Sequence, residues 1–169
     1  LLTGRSTIVT GGARGIGRAT ALAFARLGAR VAVCDKLPEE LAATSASLAE
    51  LGADPVSSVM DVREPEDVGA FVAEVVGAWG RVDVLVNNAG GGFKAAFADT
   101  SPKGEGALIA ENFTQVTSFV RACVPHMAGG GSIVNVTSIE AHRAGPGFGI
   151  YSAMKAAQAS ITKTLALEL

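Results

Sequence analysis

Short runs of β-branched residues alternate with longer stretches of helical periodicity from one end of the chain to the other. Such alternation requires a crossover after each strand, so it predicts a parallel sheet with helices on both faces. The expected architecture is α/β, a doubly wound parallel sheet in three α/β/α layers, with residues 1–169 as one domain. Strands are predicted at residues 7–10, 30–34, 56–60, 82–86 and 132–137.

Helices are predicted between these strands from apolar spacing and from their end signals. Pro38, Pro65 and Pro102 each stand in a predicted first turn, where proline is favoured. The first helix is expected to bury a stripe formed by Ile16, Thr20, Ala23, Phe24 and Leu27. One long helix is expected from Pro102 through Cys123, and the last helix begins at about Tyr151.

Charge and length exclude several classes of protein. The 169 residues suffice for one well-buried domain, and fourteen basic side chains face sixteen acidic ones, for a net charge of −2. That balance argues against nucleic acid as a partner, and no apolar run reaches the ~18 residues of a membrane span. The first ten residues lack the basic start of a secretory signal. We therefore expect a cytoplasmic protein.

Neither cysteines nor histidines suggest a metal site. Cys34 and Cys123 are too few for a disulfide framework or a metal cluster, and both are expected to be small buried side chains. His126 and His142 have no acidic or cysteine partners at ligand spacing. No metal is therefore predicted.

A glycine-rich turn, residues 10–17 (TGGARGIG), joins the first strand to the first helix. Glycines there let the backbone approach a ligand, and the helix N-terminus offers free N–H groups and a positive dipole end to a pyrophosphate. The spacing is neither G-x-G-x-x-G nor that of a P-loop. A tight strand–helix turn without a ligand is the alternative when the turn is taken alone. The predicted cofactor contacts are Gly11, Arg14, Gly15, Ile16 and Gly17.

Carboxylates follow the next two strands. Asp35 ends the second strand, where a carboxylate can accept hydrogen bonds from both hydroxyls of an adenosine ribose. Asp61 and Val62 end the third, where Asp61 is placed to accept from an adenine amino group. Each aspartate taken singly is also explained as a helix cap or a surface residue. Three consecutive strand ends with suitable groups favour a dinucleotide crevice.

Tyr151 and Lys155 stand four residues apart at the start of the last predicted helix, so they share one helix face. A phenol with a reference pKa of ~10 is a poor base unless its anion is stabilised, and a nearby ammonium does this. Ser138, at the end of the fifth strand, is placed to hydrogen-bond a substrate oxygen beside the phenol. Taken alone, Tyr-x3-Lys is more often the start of an ordinary amphipathic helix.

With these motifs in this order, the chain resembles the short-chain dehydrogenase/reductase family, whose fold is Rossmann-type. The resemblance rests on residues 10–17, on the run 87–90 (NNAG), on Ser138 and on residues 151–155 (YSAMK). It implies that Tyr151 is the general acid/base and that Ser138 orients the substrate oxygen. Lys155 would stabilise the phenolate and hold the nicotinamide ribose, and Asn112 would hold a water that links this lysine to solvent.

The resemblance has further implications for the loops and for assembly. Asn88, Ala89 and Gly90 would line the nicotinamide side of the cleft, and Asn87 would tie the fourth strand to Thr10. Helices 102–127 and 151–169 would pair across a twofold axis, which implies a homotetramer or homodimer. Members of the family continue with a further strand, a substrate-covering loop and a final strand, so a longer working protein is expected.

The leading hypothesis is an oxidoreductase that transfers a hydride between a nicotinamide cofactor and a secondary alcohol or ketone. Its small-molecule substrate would be of the 3-oxoacyl-thioester, steroid or sugar-alcohol type. NAD is expected because Asp35 would repel a 2′-phosphate, whereas Arg14 and Lys36 favour NADP and keep it as the alternative. A Rossmann-type methyltransferase also uses a glycine turn and an acid after the second strand, but it does not need the serine, tyrosine and lysine together. A non-catalytic dinucleotide sensor is the third hypothesis.

Overall fold

The computed structural model describes residues 1–169 and contains five strands and six α-helices, which alternate except that two helices lie between the fourth and fifth strands. The strands are β1 Ser6–Thr10, β2 Arg30–Asp35, β3 Val56–Val59, β4 Val84–Asn87 and β5 Ser132–Asn135. The helices are α1 Gly15–Arg26, α2 Pro38–Glu50, α3 Pro65–Trp79, α4 Pro102–Ile109, α5 Gln115–Cys123 and α6 Gly149–Glu168. No helix combines the length and the apolar character that crossing a membrane requires.

All five strands are parallel and lie in the order β3-β2-β1-β4-β5. Strand β1 is central, with Val9 in register with Val33 of β2 and Val86 of β4. The chain therefore winds outward in one direction from β1 to β3 and then in the other from β4 to β5. A crevice forms at such a reversal, outside the carboxyl ends of the strands. This topology confirms the predicted Rossmann-type, doubly wound fold.

Apolar side chains from the two faces of the sheet form two separate cores. Successive residues of a strand point to opposite faces, so Ile8 packs with Phe71 of α3 and Phe119 of α5, whereas Val9 packs with Leu41 of α2. Cys34 and Cys123 are both free and buried, as predicted. Burial raises the pKa of Cys34, and it raises that of Cys123 to about 12.

The prediction for the buried face of α1 was wrong for most of its residues, although Phe24 does pack against the core. The buried residues are Gly17, Ala21 and Ala25, four apart, while the side chains of Ile16 and Leu27 are exposed. A Cβ atom on Gly17 would collide with the carbonyl oxygen of Gly11, so α1 lies too close to the turn to hold a large side chain there. Side-chain size, rather than hydropathy, decides which face of this helix is buried.

The predicted long helix after Pro102 is interrupted. Helix α4 ends at Ile109, a π-helical turn spans Ala110–Thr114, and α5 begins at Gln115. π-Turns of this kind insert one extra residue and are frequent at functional sites. The turn carries Asn112, which is completely buried.

Candidate active site

A cleft of about 790 Å³ crosses the carboxyl ends of all five strands. Most of the predicted site residues line it: Gly11, Arg14, Gly15, Ile16, Asp35, Asp61, Val62, Asn88, Ala89, Gly90, Tyr151 and Lys155. Three predicted site residues, Gly17, Asn112 and Ser138, are not part of its wall. Gly17 instead packs α1 against the turn.

The first turn of α1 opens into this cleft. Arg14 occupies the N-cap position in an extended conformation, and its side chain makes no capping hydrogen bond. The backbone N–H groups at the start of α1 are therefore free of a side-chain acceptor. Gly15 has φ +57°, and the space where its Cβ would stand is empty to 4 Å. These features fit a pyrophosphate at the helix N-terminus.

Asp35 stands at the cleft with its carboxylate already bound to backbone. Its Oδ2 accepts from the N–H of Ala13 at 3.1 Å, and its Oδ1 accepts from the N–H of Leu37 at 3.2 Å. A carboxylate has about four acceptor sites, so these two bonds leave capacity for further donors. The contacts fix the carboxylate beside the glycine turn, where the sequence placed it.

Two ion pairs flank Asp35 along the same cleft. Lys36 Nζ lies 3.6 Å from Oε1 of Glu111, which comes from the π-helical turn and also lines the cleft. Asp61 binds the side chain and the backbone N–H of Arg63. The hydrogen bonds from Arg63 hold the pKa of Asp61 below its usual value. The carboxylate expected to meet an adenine amino group thus has an arginine partner, and sequence reasoning had overlooked both Arg63 and Glu111.

The link between β1 and the loop after β4 is made by Asn88, not by Asn87. The Asn88 N–H donates to Thr10 Oγ1 at 3.0 Å, and its Nδ2 donates to the Thr10 carbonyl at 2.9 Å. Asn87 Nδ2 donates instead to Oδ1 of Asn135 at 2.8 Å. The expectation for Asn87 was wrong because Asn87 is still in the strand, in register with Asn135, so its side chain lies beside that residue.

Lys155 and Tyr151 line the cleft one helical turn apart. Lys155 is only 4% exposed, and its Nζ donates to the carbonyl of Val136 at 2.9 Å and to Oε1 of Gln158 at 3.0 Å. Burial lowers the pKa of Lys155, and the negative charge of Glu111 partly opposes this effect. The first two turns of α6 therefore bring a phenol and an ammonium to the cleft.

Ser138 and Asn112 are both held by backbone contacts. Ser138 Oγ accepts from the N–H of Glu140 at 3.2 Å, just after β5. Asn112 Nδ2 donates to the carbonyls of Gly91 at 2.7 Å and Leu108 at 3.0 Å, and its Oδ1 accepts from the Gly91 N–H. The Asn112 side chain thus fastens the loop after β4 to the π-helical turn.

Two buried glutamines near the site were not predicted. Gln115 Nε2 donates to the carbonyl of Ala89 at 2.9 Å, and Gln158 accepts from Lys155. Gln158 follows Lys155 by three residues, and this spacing on α6 was the available signal. No group of three or more histidine, cysteine or acidic side chains lies close enough together to hold a metal ion.

Known proteins resemble this chain along its whole length. The short chain dehydrogenase family matches residues 5–169. A sorbitol dehydrogenase from Cereibacter sphaeroides is 36% identical over 99% of the chain and 66% of its own length. A 3-oxoacyl-(acyl-carrier-protein) reductase from Thermotoga maritima is 36% identical over 99% of the chain and 69% of its own length.

Solved structures agree with this result. The crystal structure of carveol dehydrogenase from Mycobacterium avium in complex with NAD superimposes with a TM-score of 0.94 at 32% identity. That match covers 99% of this chain and 66% of the other. The chain spans about two thirds of the length of the curated relatives that it matches.

Proposed function

The chain belongs to the short chain dehydrogenase family, and on that premise we propose that it is an oxidoreductase acting on a secondary alcohol or ketone with a nicotinamide cofactor. The observation that carries the proposal is one cleft shared by the glycine turn, Asp35, Tyr151 and Lys155. Family membership favours this function over a methyltransferase. We also take residues 1–169 to form one NAD(P)-binding domain.

NAD is the proposed cofactor. The free N–H groups at the start of α1 would hold the pyrophosphate, and Asp35 would accept from the ribose hydroxyls of the adenosine. Lys36 is engaged by Glu111, so its charge is partly neutralised by a second carboxylate at the same end of the cleft. When bound, the nicotinamide accepts or supplies the hydride.

The proposed proton chemistry belongs to α6. Tyr151 would give a proton to the carbonyl oxygen during reduction or take one from the alcohol during oxidation. The ammonium of Lys155 would stabilise the phenolate and hold the nicotinamide ribose. Ser138 Oγ would orient the substrate oxygen, for which its hydroxyl keeps its own proton to donate while it accepts from Glu140. Asn112 would hold a water next to Lys155.

The substrate would be a small alcohol or carbonyl compound of the 3-oxoacyl-thioester, steroid or sugar-alcohol type. Sorbitol and 3-oxoacyl substrates are those named for two relatives. The experiment is a panel assay with NAD and NADP against these three classes, followed by absorbance of the reduced cofactor. Cofactor binding without turnover on any class would instead support a dinucleotide sensor.

A cytoplasmic homotetramer or homodimer is the proposed state in solution. Support for the assembly comes from the family resemblance, in which the helices at residues 102–127 and 151–169 pair across a twofold axis. Sedimentation equilibrium over a range of concentrations tests it. A monomer at all concentrations would contradict this part of the proposal.

A further inference from the structure

Gln158 makes a direct contact with the ammonium of Lys155 in the interior of the protein. Its Oε1 accepts from Lys155 Nζ at 3.0 Å. Gln158 is 0% exposed and Lys155 is 4% exposed, so water does not compete for this hydrogen bond. The glutamine lies on α6 about one helical turn after Lys155, whereas Tyr151 lies about one turn before Lys155.

The hydrogen bonds of the Lys155 ammonium leave one of its N–H groups without a partner in the chain. An ammonium has three N–H donors. One goes to the carbonyl of Val136 after β5, and one goes to Gln158 Oε1. On another side Nζ lies 3.2 Å from the point where a Cβ on Gly90 would stand, so the loop after β4 also confines it. The third donor is the one available to the cleft that Lys155 lines.

The orientation of the Gln158 amide follows from chemistry. An amide can be turned so that either oxygen or nitrogen faces a neighbour, but the nitrogen would place donors against a donor. The oxygen must therefore face Lys155. The nitrogen Nε2 is then left buried with no hydrogen-bond partner within the chain. A buried amide with an unpaired end is less favourable than an apolar side chain of the same size, so stability alone does not account for a glutamine here.

We propose that Gln158 is a positioning residue for Lys155: its side-chain oxygen fixes the ammonium, favours its charged form and leaves one N–H for the cleft. The function of that N–H, on the cofactor ribose and the phenol, rests on the function proposed above. The contact between Gln158 and Lys155 does not depend on it. Without the oxygen, the buried lysine would release its proton more readily, because a hydrogen bond to the charged form favours that form.

The other charges near Lys155 do not replace this contact. Glu111, on the π-helical turn packed against α6, is the acidic group whose charge acts on Nζ. Glu140, in the short helical turn after β5, is bound by Arg143. Glu105 on α4 is exposed. Tyr151 is the titratable group of α6 itself that shares the cleft with Lys155.

The test is a nuclear magnetic resonance titration of lysine side chains in the full chain, labelled with ¹³C-lysine. The Lys155 signal is assigned by its loss in Lys155→Arg. Gln158→Met keeps the length of the side chain and removes the acceptor. We expect this variant to lower the pKa of Lys155 by about one pH unit, which means that the ammonium binds its proton roughly tenfold more weakly. Gln158→Glu places a carboxylate at the same site and should raise that pKa above the wild-type value.

Gln115→Met is the matched control. It removes another buried glutamine, one whose amide donates to Ala89 and does not contact Lys155. It leaves the acceptor for the Lys155 ammonium in place, so it should not move the Lys155 midpoint. A midpoint that does not fall in Gln158→Met, or that falls as far in Gln115→Met, overturns the proposal. If Gln158→Met does not fold, a midpoint that fails to rise in Gln158→Glu overturns it.

Binding of NAD over a range of pH separates this inference from the proposed function. The ribose contact needs the ammonium, so the loss of NAD affinity at alkaline pH should begin about one pH unit lower in Gln158→Met. If the wild-type chain binds no NAD at any pH, the proposed function fails. The lysine titration, which needs neither cofactor nor turnover, still decides the role of Gln158.

Discussion

Hydrogen bonds to the backbone fix the side chains of three residues in the region of the cleft, namely Asp35, Asn112 and Lys155. Asp35 accepts from two N–H groups, Asn112 makes three hydrogen bonds to Gly91 and Leu108, and Lys155 donates to the Val136 carbonyl. Side chains held in this way lose little further freedom when a ligand arrives. Such preorganisation lowers the entropic part of a binding or catalytic barrier.

Tyr151→Phe should abolish turnover and leave NAD affinity nearly unchanged, because it removes the transferable proton and keeps the ring. Tyr151 is the only tyrosine in the chain, so no second phenol can take over. Steady-state rates with the best substrate of the panel, together with NAD titration by fluorescence, measure the two effects. Substantial turnover in Tyr151→Phe would exclude the phenol as the general acid/base.

Asp35→Ala should relax or reverse a preference for NAD. A like-charge contact between Asp35 and a 2′-phosphate of ~1–3 kcal/mol corresponds to roughly ten- to a hundredfold discrimination. Its removal leaves Arg14 and Lys36 to meet the phosphate, although Glu111 still pairs with Lys36. The ratio of kcat/KM for NAD to that for NADP is measured in wild type and variant. A wild type that favours NADP tenfold would show that the basic residues dominate.

At the level of secondary structure, periodicity predicted the order of strands and helices but not their closest contacts. The β-branched run that contains Val9 was enough to predict the first strand. Asp35, at the end of the second strand, was enough to predict where the cleft lies. The buried face of α1 was missed because it depends on how closely Gly17 approaches the Gly11 carbonyl in the folded chain. The hydropathy of the residues carries no information about that distance. The π-helical turn was missed for a similar reason, since it is accompanied by hydrogen bonds from Asn112 to a distant loop.

Gly17→Ala should therefore destabilise the protein. The added Cβ would collide with the Gly11 carbonyl and approach Asn88 Nδ2 to 2.6 Å, and such overpacking costs about 1–3 kcal/mol. Gly69→Ala in α3 is the control, because no atom lies within 4 Å of its Cβ position. That control should stabilise by about 0.5–1 kcal/mol through helix propensity. Urea unfolding of both variants gives the difference, and equal effects would contradict the close approach of α1.

On the scale of the whole molecule, the two ends of the sheet carry different groups. The carboxyl ends hold the cleft, whereas the amino ends are tied by Asp83, which is 2% exposed. Asp83 accepts from the Ser6 N–H at 2.9 Å and pairs with Arg5 and Arg81. Burial alone would raise the pKa of this carboxyl, but the N–H group and the two guanidinium groups together hold it below its usual value.

Asp83→Asn should lower stability without affecting the cleft. The variant keeps an oxygen for the Ser6 N–H but loses the charge, and a hydrogen bond to a charged group contributes about 1.5–3 kcal/mol. Since Arg5 and Arg81 are about half exposed and can be hydrated, we expect the free energy of unfolding to fall by about 2 kcal/mol or less.

A carboxyl whose folded pKa is lowered stabilises the protein above its unfolded pKa of ~3.9, and this contribution disappears as the pH falls through the folded value. Urea unfolding at neutral and acidic pH should therefore show a gap between wild type and Asp83→Asn that narrows as the pH falls. A gap of constant size would mean that the charge of Asp83 does not stabilise the fold, and weaker NAD binding by the variant would mean that the two ends of the sheet are coupled.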